Sequence, residues 1–428
     1  MNKFPNVKIE TINNLKVLWV PLKTNTVSIS FIIKAGGFEE TKSETGVAHF
    51  LEHLFATNLR ESEIQKTAIN KGSRILSNAY TSNFFTSYYI NTLSKNQKVG
   101  LELILDTFLL RDINLKILER ERNSIIVEMN KKCGSKDDLL WNVVLPKLML
   151  GDNRIIRNPF EHVKNVYNIT PNKLSKFMEK YYTLDNSILV ISGEYDYKKL
   201  YKMLKATDFK KIPKKNTKIT RKIKMHNKKF NYYFLKDAKQ IYKLIFSFRT
   251  FSSDSKNKYV LKFLSTIMDN IGSSSILFNR LRTKAGITYS PMTKIYNNKY
   301  YGIYTIIFNT TFENIGRGID EMVKIFKDLK NKKIEEKYIK LAISQLNYYI
   351  VNLKNTMKSS MFLDYGTHVL NDSKIETPDV VFKQYYKNMT SDKIMKISKQ
   401  IFNGNNLTFV VIGSKDIDTK LYTPLKQL

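Results

Sequence analysis

The sequence predicts an α+β protein made of two homologous α/β-sandwich halves related by internal duplication. Three observations carry this expectation. The segment Asn168-Ile-Thr170-Pro-Asn-Lys173-Leu174 matches Asn388-Met-Thr390-Ser-Asp-Lys393-Ile394 at an offset of 220 residues. The same offset carries Ser187-Ile-Leu-Val-Ile-Ser-Gly193 onto Leu407-Thr-Phe-Val-Val-Ile-Gly413, and 220 is close to half of the 428 residues. Finally, apolar strand-like runs alternate with longer helical patterns in both halves, and 42% apolar residues suffice for packed cores and exclude a mainly disordered chain.

The elements follow in order. Val27-Ser-Ile-Ser-Phe-Ile-Ile33 reads as a strand entering Lys34-Ala-Gly36-Gly37, with Tyr242-Lys-Leu-Ile-Phe-Ser-Phe248 as its partner in the second half. Gly46–Ala56 reads as a helix of good helix formers, for which Ser43 or Thr45 offers an N-cap. Leu115–Asn130 is helical by pattern. Each copy of the 220-residue repeat reads as a helix opened by a Thr N-cap, then a polar turn, then an apolar strand ending in glycine. The expected division is 1–208 as the metal-binding half, 209–229 as a linker and 230–428 as the homologous half. Between 210 and 229 lie ten Lys and Arg residues and no acid, with Pro213 interrupting any helix. Such a run is an exposed linker or, alternatively, a strap for a polyanion.

The formal charge is +33, from 71 Lys and Arg against 38 Asp and Glu. That balance points to a polyanionic partner such as nucleic acid, an anionic membrane surface or an acidic peptide, or else to basic charge spread over a solvated surface. No run approaches the roughly 18 apolar residues of a membrane span. One cysteine, Cys133, excludes an intrachain disulfide and a Cys-based metal site. The first residues lack the apolar core of a secretory signal, so a reducing, cytoplasmic location is expected.

The five histidines are more informative. His49, Glu52 and His53 fall within about 100° of arc on one helix face. Two imidazoles one turn apart chelate one metal ion and leave the carboxylate between them beside it. This is H-x-x-E-H, the reversed zincin pattern, with the histidines on zinc and the glutamate as general base. A hydrolytic zinc takes three protein ligands and an open position for water, so a third ligand is expected elsewhere. Within Leu115–Asn130, Glu121 and Glu128 are seven apart and share a face; Glu128 adjoins the apolar Ile125-Ile126-Val127, whereas Glu119 and Glu121 also fit as surface pairs with Arg120 and Arg122.

With Ala35-Gly36-Gly37-Phe38-Glu39-Glu40 before Thr45-Gly46-Val47-Ala48-His49-Phe50-Leu51-Glu52-His53, the chain resembles the insulinase/pitrilysin family of zinc metallopeptidases, in its short, mitochondrial-processing-peptidase-like type. The resemblance covers nearly the whole chain. It implies a clamshell peptidase, with one zinc ion per chain. The family's third ligand lies about 75 positions past the second histidine, which assigns Glu128 and makes Glu121 a support for catalysis. It also implies that Asn78, Ala79, Tyr80 and Thr81, followed by Ser82, Thr86 and Tyr88, form an edge strand that binds extended substrate. Arg282 and Tyr289 would hold the substrate backbone and stabilise the oxyanion. The second-half helix near Lys258–Asn270 has no histidine, so that half is expected to hold no metal. Gly272–Ser275 is much shorter than the glycine-rich loop of the processing peptidase's recruiting subunit.

The expected function is therefore a zinc endopeptidase of unfolded peptides or flexible segments, working as a homodimer or as a heterodimer with a related chain. The alternatives are a processing protease of structural proteins packaged with nucleic acid, as in a virus particle, and a non-catalytic structural subunit of the same fold.

Overall fold

The computed structural model describes residues 3–109, 111, 113–151, 153–214 and 221–428. The chain forms two compact units. One comprises Met1–Lys147, Asp152–Lys222 and Thr356–Ile375, and the other Leu148–Gly151, Ile223–Asn355 and Glu376–Leu428. The boundary thus crosses the basic segment between Lys222 and Ile223, and a stretch from late in the sequence belongs to the first unit.

In the first unit six strands form one sheet: β1 (Lys8–Ile12), β2 (Leu15–Pro21), β3 (Thr26–Ile33), β4 (Ile75–Thr81), β5 (Thr86–Leu93) and β6 (Ser187–Gly193). Their order is β1-β2-β6-β3-β5-β4, with only β2 and β6 parallel. Ile29, Phe31 and Ile33 of β3 share a core with Phe50, Leu51, Leu54 and Phe55 of the helix Val47–Glu61. Burying each such side chain contributes about 1.5–3 kcal/mol. On β3 and β6, Gly366 makes a close approach. A Cβ there would stand 2.7–3.0 Å from methyl carbons of Val190, Ile32 and Ile188, so a larger residue would force those side chains or the Thr356–Ile375 stretch to shift. Ser359 Oγ, 2.7 Å from Ser28 Oγ, and Lys34 Nζ, which donates to the Leu370 carbonyl at 2.7 Å, hold it there.

The second unit repeats the pattern. Its strands are β7 (Asn231–Lys236), β8 (Tyr242–Thr250), β9 (Met292–Asn297), β10 (Gly302–Thr310) and β11 (Leu407–Gly413), in the order β7-β11-β8-β10-β9. Only β7 and β11 pair in parallel, so order and direction reproduce β2-β6-β3-β5-β4. The polar details are duplicated too. Thr170 and Thr390 each accept the N–H of the residue three positions on at 3.4 Å. Asn186 Nδ2 donates to the Tyr181 carbonyl at 2.8 Å, and Asn406 Nδ2 to that of Ile401 at 2.9 Å. The helix Asn257–Asp269 buries Tyr259, Leu261 and Phe263 and carries no histidine.

Two local expectations are corrected. The segment 209–229 is not wholly exposed. Phe209 and Ile212 belong to the first unit's core, and Arg221 is buried against Glu39, its Nε 2.5 Å from Oε1. The buried carboxylate of Glu39, on the short turn Gly37–Glu39, overrides the tendency of a basic run to stay in water. Lys215 and Lys218 lie outside the described residues. Nor does Ser43 or Thr45 cap the helix Val47–Glu61. Gly46 precedes it with φ +104°, and the Glu40 carboxylate accepts the N–H groups of Gly46 at 3.0 Å and Ala48 at 2.8 Å. Among the described residues no helix is long and apolar enough to cross a membrane.

Candidate metal centre

The helix Val47–Glu61 is buried along much of its length, and its 3.6-residue period brings His49, Glu52 and His53 onto one face. The helix Leu115–Cys133 packs beside it and presents Glu128 and Glu121. Glu128 Oε2 stands 3.6 Å from His49 Nε2 and 3.3 Å from His53 Nε2. One ligand atom from each of the three residues lies within 4.8 Å of the others.

This donor set fits zinc. Bonds of about 2.0–2.1 Å in tetrahedral geometry separate ligand atoms by roughly 3.3–3.4 Å, close to the two separations seen. Burial, with His162 and His53 nearby, holds His49 well below its ordinary pKa, so its ring is neutral and a lone pair is free. The Glu128 carboxyl is held well below the carboxylate range, first by His53. Its other oxygen, Oε1, lies 2.7 Å from Lys132 Nζ.

Further residues contact these three side chains. His53 Nδ1 lies 3.1 Å from Glu121 Oε2, and Thr57 Oγ1 donates to Glu121 Oε1 at 2.9 Å. Glu121 thus touches the back of His53 and does not line the cavity in front of the ligands. Glu52 Oε2 lies 3.6 Å from His49 Nε2 and accepts from Thr81 Oγ1 at 3.4 Å. Burial pushes the Glu52 carboxyl above its ordinary value, which would suit a group that takes up a proton.

The ligands open onto a cavity of about 800 Å³ that Glu52 and Asn78, Ala79, Tyr80 and Thr81 also line. These four lie on β4, the sheet's edge, while Thr86 and Tyr88 belong to the neighbouring β5. An edge strand offers unpaired backbone groups to an extended chain. Tyr80 donates its hydroxyl to Asp364 at 2.8 Å.

Arg282 and Tyr289 lie together in the second unit, the guanidinium carbon 4.2 Å from the tyrosine ring centroid and 4.6 Å from that of Phe278. Tyr289 is 77% exposed. Three cavity residues escaped the sequence reading. His162 stands edge-on to His49 with ring centroids 5.2 Å apart, and burial, with Arg157 and Lys132, pushes it down to about 3. Arg157 donates from Nη1 to the Thr81 carbonyl at 2.8 Å, and Glu40 holds the helix start. The available signal for His162 was the scarcity of histidine itself.

Residues 17–149 match the family model described as Insulinase (Peptidase family M16), and residues 168–346 match Peptidase M16 inactive domain. The chain is 22% identical over 412 residues to the Saccharomyces cerevisiae mitochondrial-processing peptidase subunit beta, covering 91% of this chain and 87% of that protein. It is 25% identical over 402 residues to an uncharacterized zinc protease of Rickettsia bellii, covering 92% and 93% respectively. Among solved structures, a protease from Helicobacter pylori superposes with a TM-score of 0.80 at 21% identity, covering 96% of this chain and all of that one, a likeness of fold.

Proposed function

The chain belongs to the insulinase family (peptidase family M16) of zinc metallopeptidases, and from that premise we propose that it is a catalytically competent zinc endopeptidase of unfolded peptides and flexible segments. The carrying observation is the convergence of His49 Nε2, His53 Nε2 and Glu128 Oε2 beside the Glu52 carboxylate, in a cavity bordered by an edge strand.

His49, His53 and Glu128 would hold one zinc ion. When bound, the ion supplies Lewis-acid polarisation of the scissile carbonyl and lowers the pKa of water to about 7. The chain's own residues do the rest. Glu52 takes the proton of the attacking water and passes it to the departing amine nitrogen, a role typically worth 10²–10⁴ in rate. Thr81 holds the carboxylate that does this, and Glu121 fixes the His53 ring with Nε2 turned toward Glu128, where the ion would be held. Asn78–Thr81 align an extended peptide along β4. The family resemblance assigns the backbone and oxyanion of the substrate to Arg282 and Tyr289, which lie together in the second unit.

The match of residues 168–346 to an inactive-domain model supports a second reading, a non-catalytic subunit. That match falls mostly on the half without histidine in its corresponding helix, whereas the first half keeps His49, Glu52, His53 and Glu128. Pairing with a second copy or with a related chain is part of the proposal, supported by a relative named as a subunit. Metal content measured beside cleavage of a mixed peptide library decides between the readings. The endopeptidase contains zinc, loses cleavage with a chelator and regains it with zinc, and His49→Ala abolishes both. A zinc-loaded protein that cuts nothing, alone or with a related chain, favours the subunit.

A further inference from the structure

We propose that the substrates are acidic, that is, peptides carrying Asp or Glu within a few residues of the scissile bond. This rests on the endopeptidase reading above and names its substrate class.

The cavity is lined by six bases and five acids, but the two sets are not equally available. Of the acids, Glu128 and Glu52 face the metal position. Glu40 is half-buried, and both its oxygens accept backbone N–H groups. Only Asp138 and Glu161 remain to meet a basic side chain. On the other side, Lys42, Arg60 and Lys147 are exposed and form no ion pair among the described residues. A divalent ion held there would be offset by the Glu128 and Glu52 carboxylates, so the balance rests on the remaining side chains.

Position sharpens the imbalance. Arg157 donates to the Thr81 carbonyl at the end of β4, where an extended peptide would pass, and its charge acts on His49, Glu52, Glu40 and His162 alike. A guanidinium at the end of the peptide track favours a carboxylate beside the cut and disfavours an ammonium there. The formal charge of +33 acts in the same sense at longer range, steering anionic peptides toward the cavity and repelling basic ones. Charges in a concave, low-dielectric wall are worth more than the same charges on an open surface. Basic peptides meet the opposite conditions at every step.

The test uses the zinc-loaded full chain and three fluorogenic peptides that share one neutral scissile core, with flanks rich in Asp and Glu, in Ser and Gly, or in Lys and Arg. The expected result is a kcat/KM about tenfold or more higher for the acidic than for the basic peptide, shrinking toward unity at ~0.5 M salt as screening shortens to a few ångströms. The triple variant Lys42→Glu, Arg60→Glu, Lys147→Glu should lower the acidic-to-basic ratio by about tenfold or more. These side chains are exposed, so the variant is expected to fold, and its zinc content and circular dichroism report whether it does. Equal or reversed preference in the wild type, with the neutral peptide cut, overturns the acidic class and leaves the endopeptidase standing. A preference that survives charge reversal overturns its assignment to these side chains. A zinc-loaded protein that cuts none of the three overturns both readings.

Discussion

His53 Nδ1 lies 3.1 Å from Glu121 Oε2, while the other nitrogen of the same ring faces Glu128 Oε2 at 3.3 Å. One imidazole is thus held between two carboxylates of one helix, seven residues apart. Burial would lower its pKa, but hydrogen bonding to Glu128 and Glu121 and the charge of Glu52 raise it. A metal ion at Nε2 leaves Nδ1–H to donate to Glu121, which keeps the ring turned toward the cavity.

Replacing Glu121 with Gln should therefore weaken zinc binding by about 10–100-fold without removing a ligand. Competition against a chromophoric chelator measures this. Thr57→Ala, which frees only one oxygen of Glu121, should move affinity in the same direction by less.

Arg221 is the second anchoring group. Its Nη2 donates to the carbonyls of Lys34 at 3.0 Å and Phe84 at 2.8 Å, while Nε meets Glu39. Arg221→Ala leaves a carboxylate buried without its cation and should cost about 3–5 kcal/mol, read as a lowered thermal midpoint. Adding Glu39→Leu to that variant should recover part of the loss, because the stranded charge is then gone.

Glu40 gives stability a pH dependence. Burial, opposed by the N–H groups of Gly46 and Ala48 and by Arg157, pushes its carboxyl up to about 7 from 4.5. The folded state then binds the proton more tightly than the unfolded chain. The resulting stabilisation is fully present below about 4.5 and is lost as pH rises through about 7. Relative to Glu40→Gln, the wild type should lose on the order of 3 kcal/mol across that window. Urea midpoints of the two proteins at pH values from ~5 to ~8 measure the difference.

Gly46 carries φ +104°, and a Cβ on it would stand 2.5 Å from His162 Nε2. Gly46→Ala should destabilise by about 1–2 kcal/mol from the backbone alone and push the His162 ring toward His49. Zinc affinity should fall with it, and His162→Ala should relieve the steric part only. Calorimetric midpoints and chelator competition on the single and double variants separate the two contributions.

The division between legible and hidden features is a physical one. Chelation by one helix demands His49 and His53 one turn apart, and that demand is visible as spacing. The repeat at 220 residues exposed the two sheets because β6 and β11 are buried along their whole length and so stay apolar. The remaining features depend on partners distant in sequence. Arg221 sits in a run of bases and its partner Glu39 lies 182 positions away in sequence, so composition alone read it as solvated. Glu40 caps its helix across a loop, a geometry that residue type does not announce. The Thr356–Ile375 stretch crosses to the first unit through Gly366 and Ser359, neither of which signals a sheet contact in the sequence.

The central claim is that Glu52 is the proton carrier beside a metal held by His49, His53 and Glu128. Glu52→Gln keeps size and all three ligands and removes only the basicity, so the decisive measurement is zinc content and peptide cleavage on the same Glu52→Gln sample. The predicted result is wild-type zinc occupancy with cleavage reduced by roughly 10²–10⁴ or more. Wild-type zinc occupancy with cleavage near the wild-type rate would contradict the account.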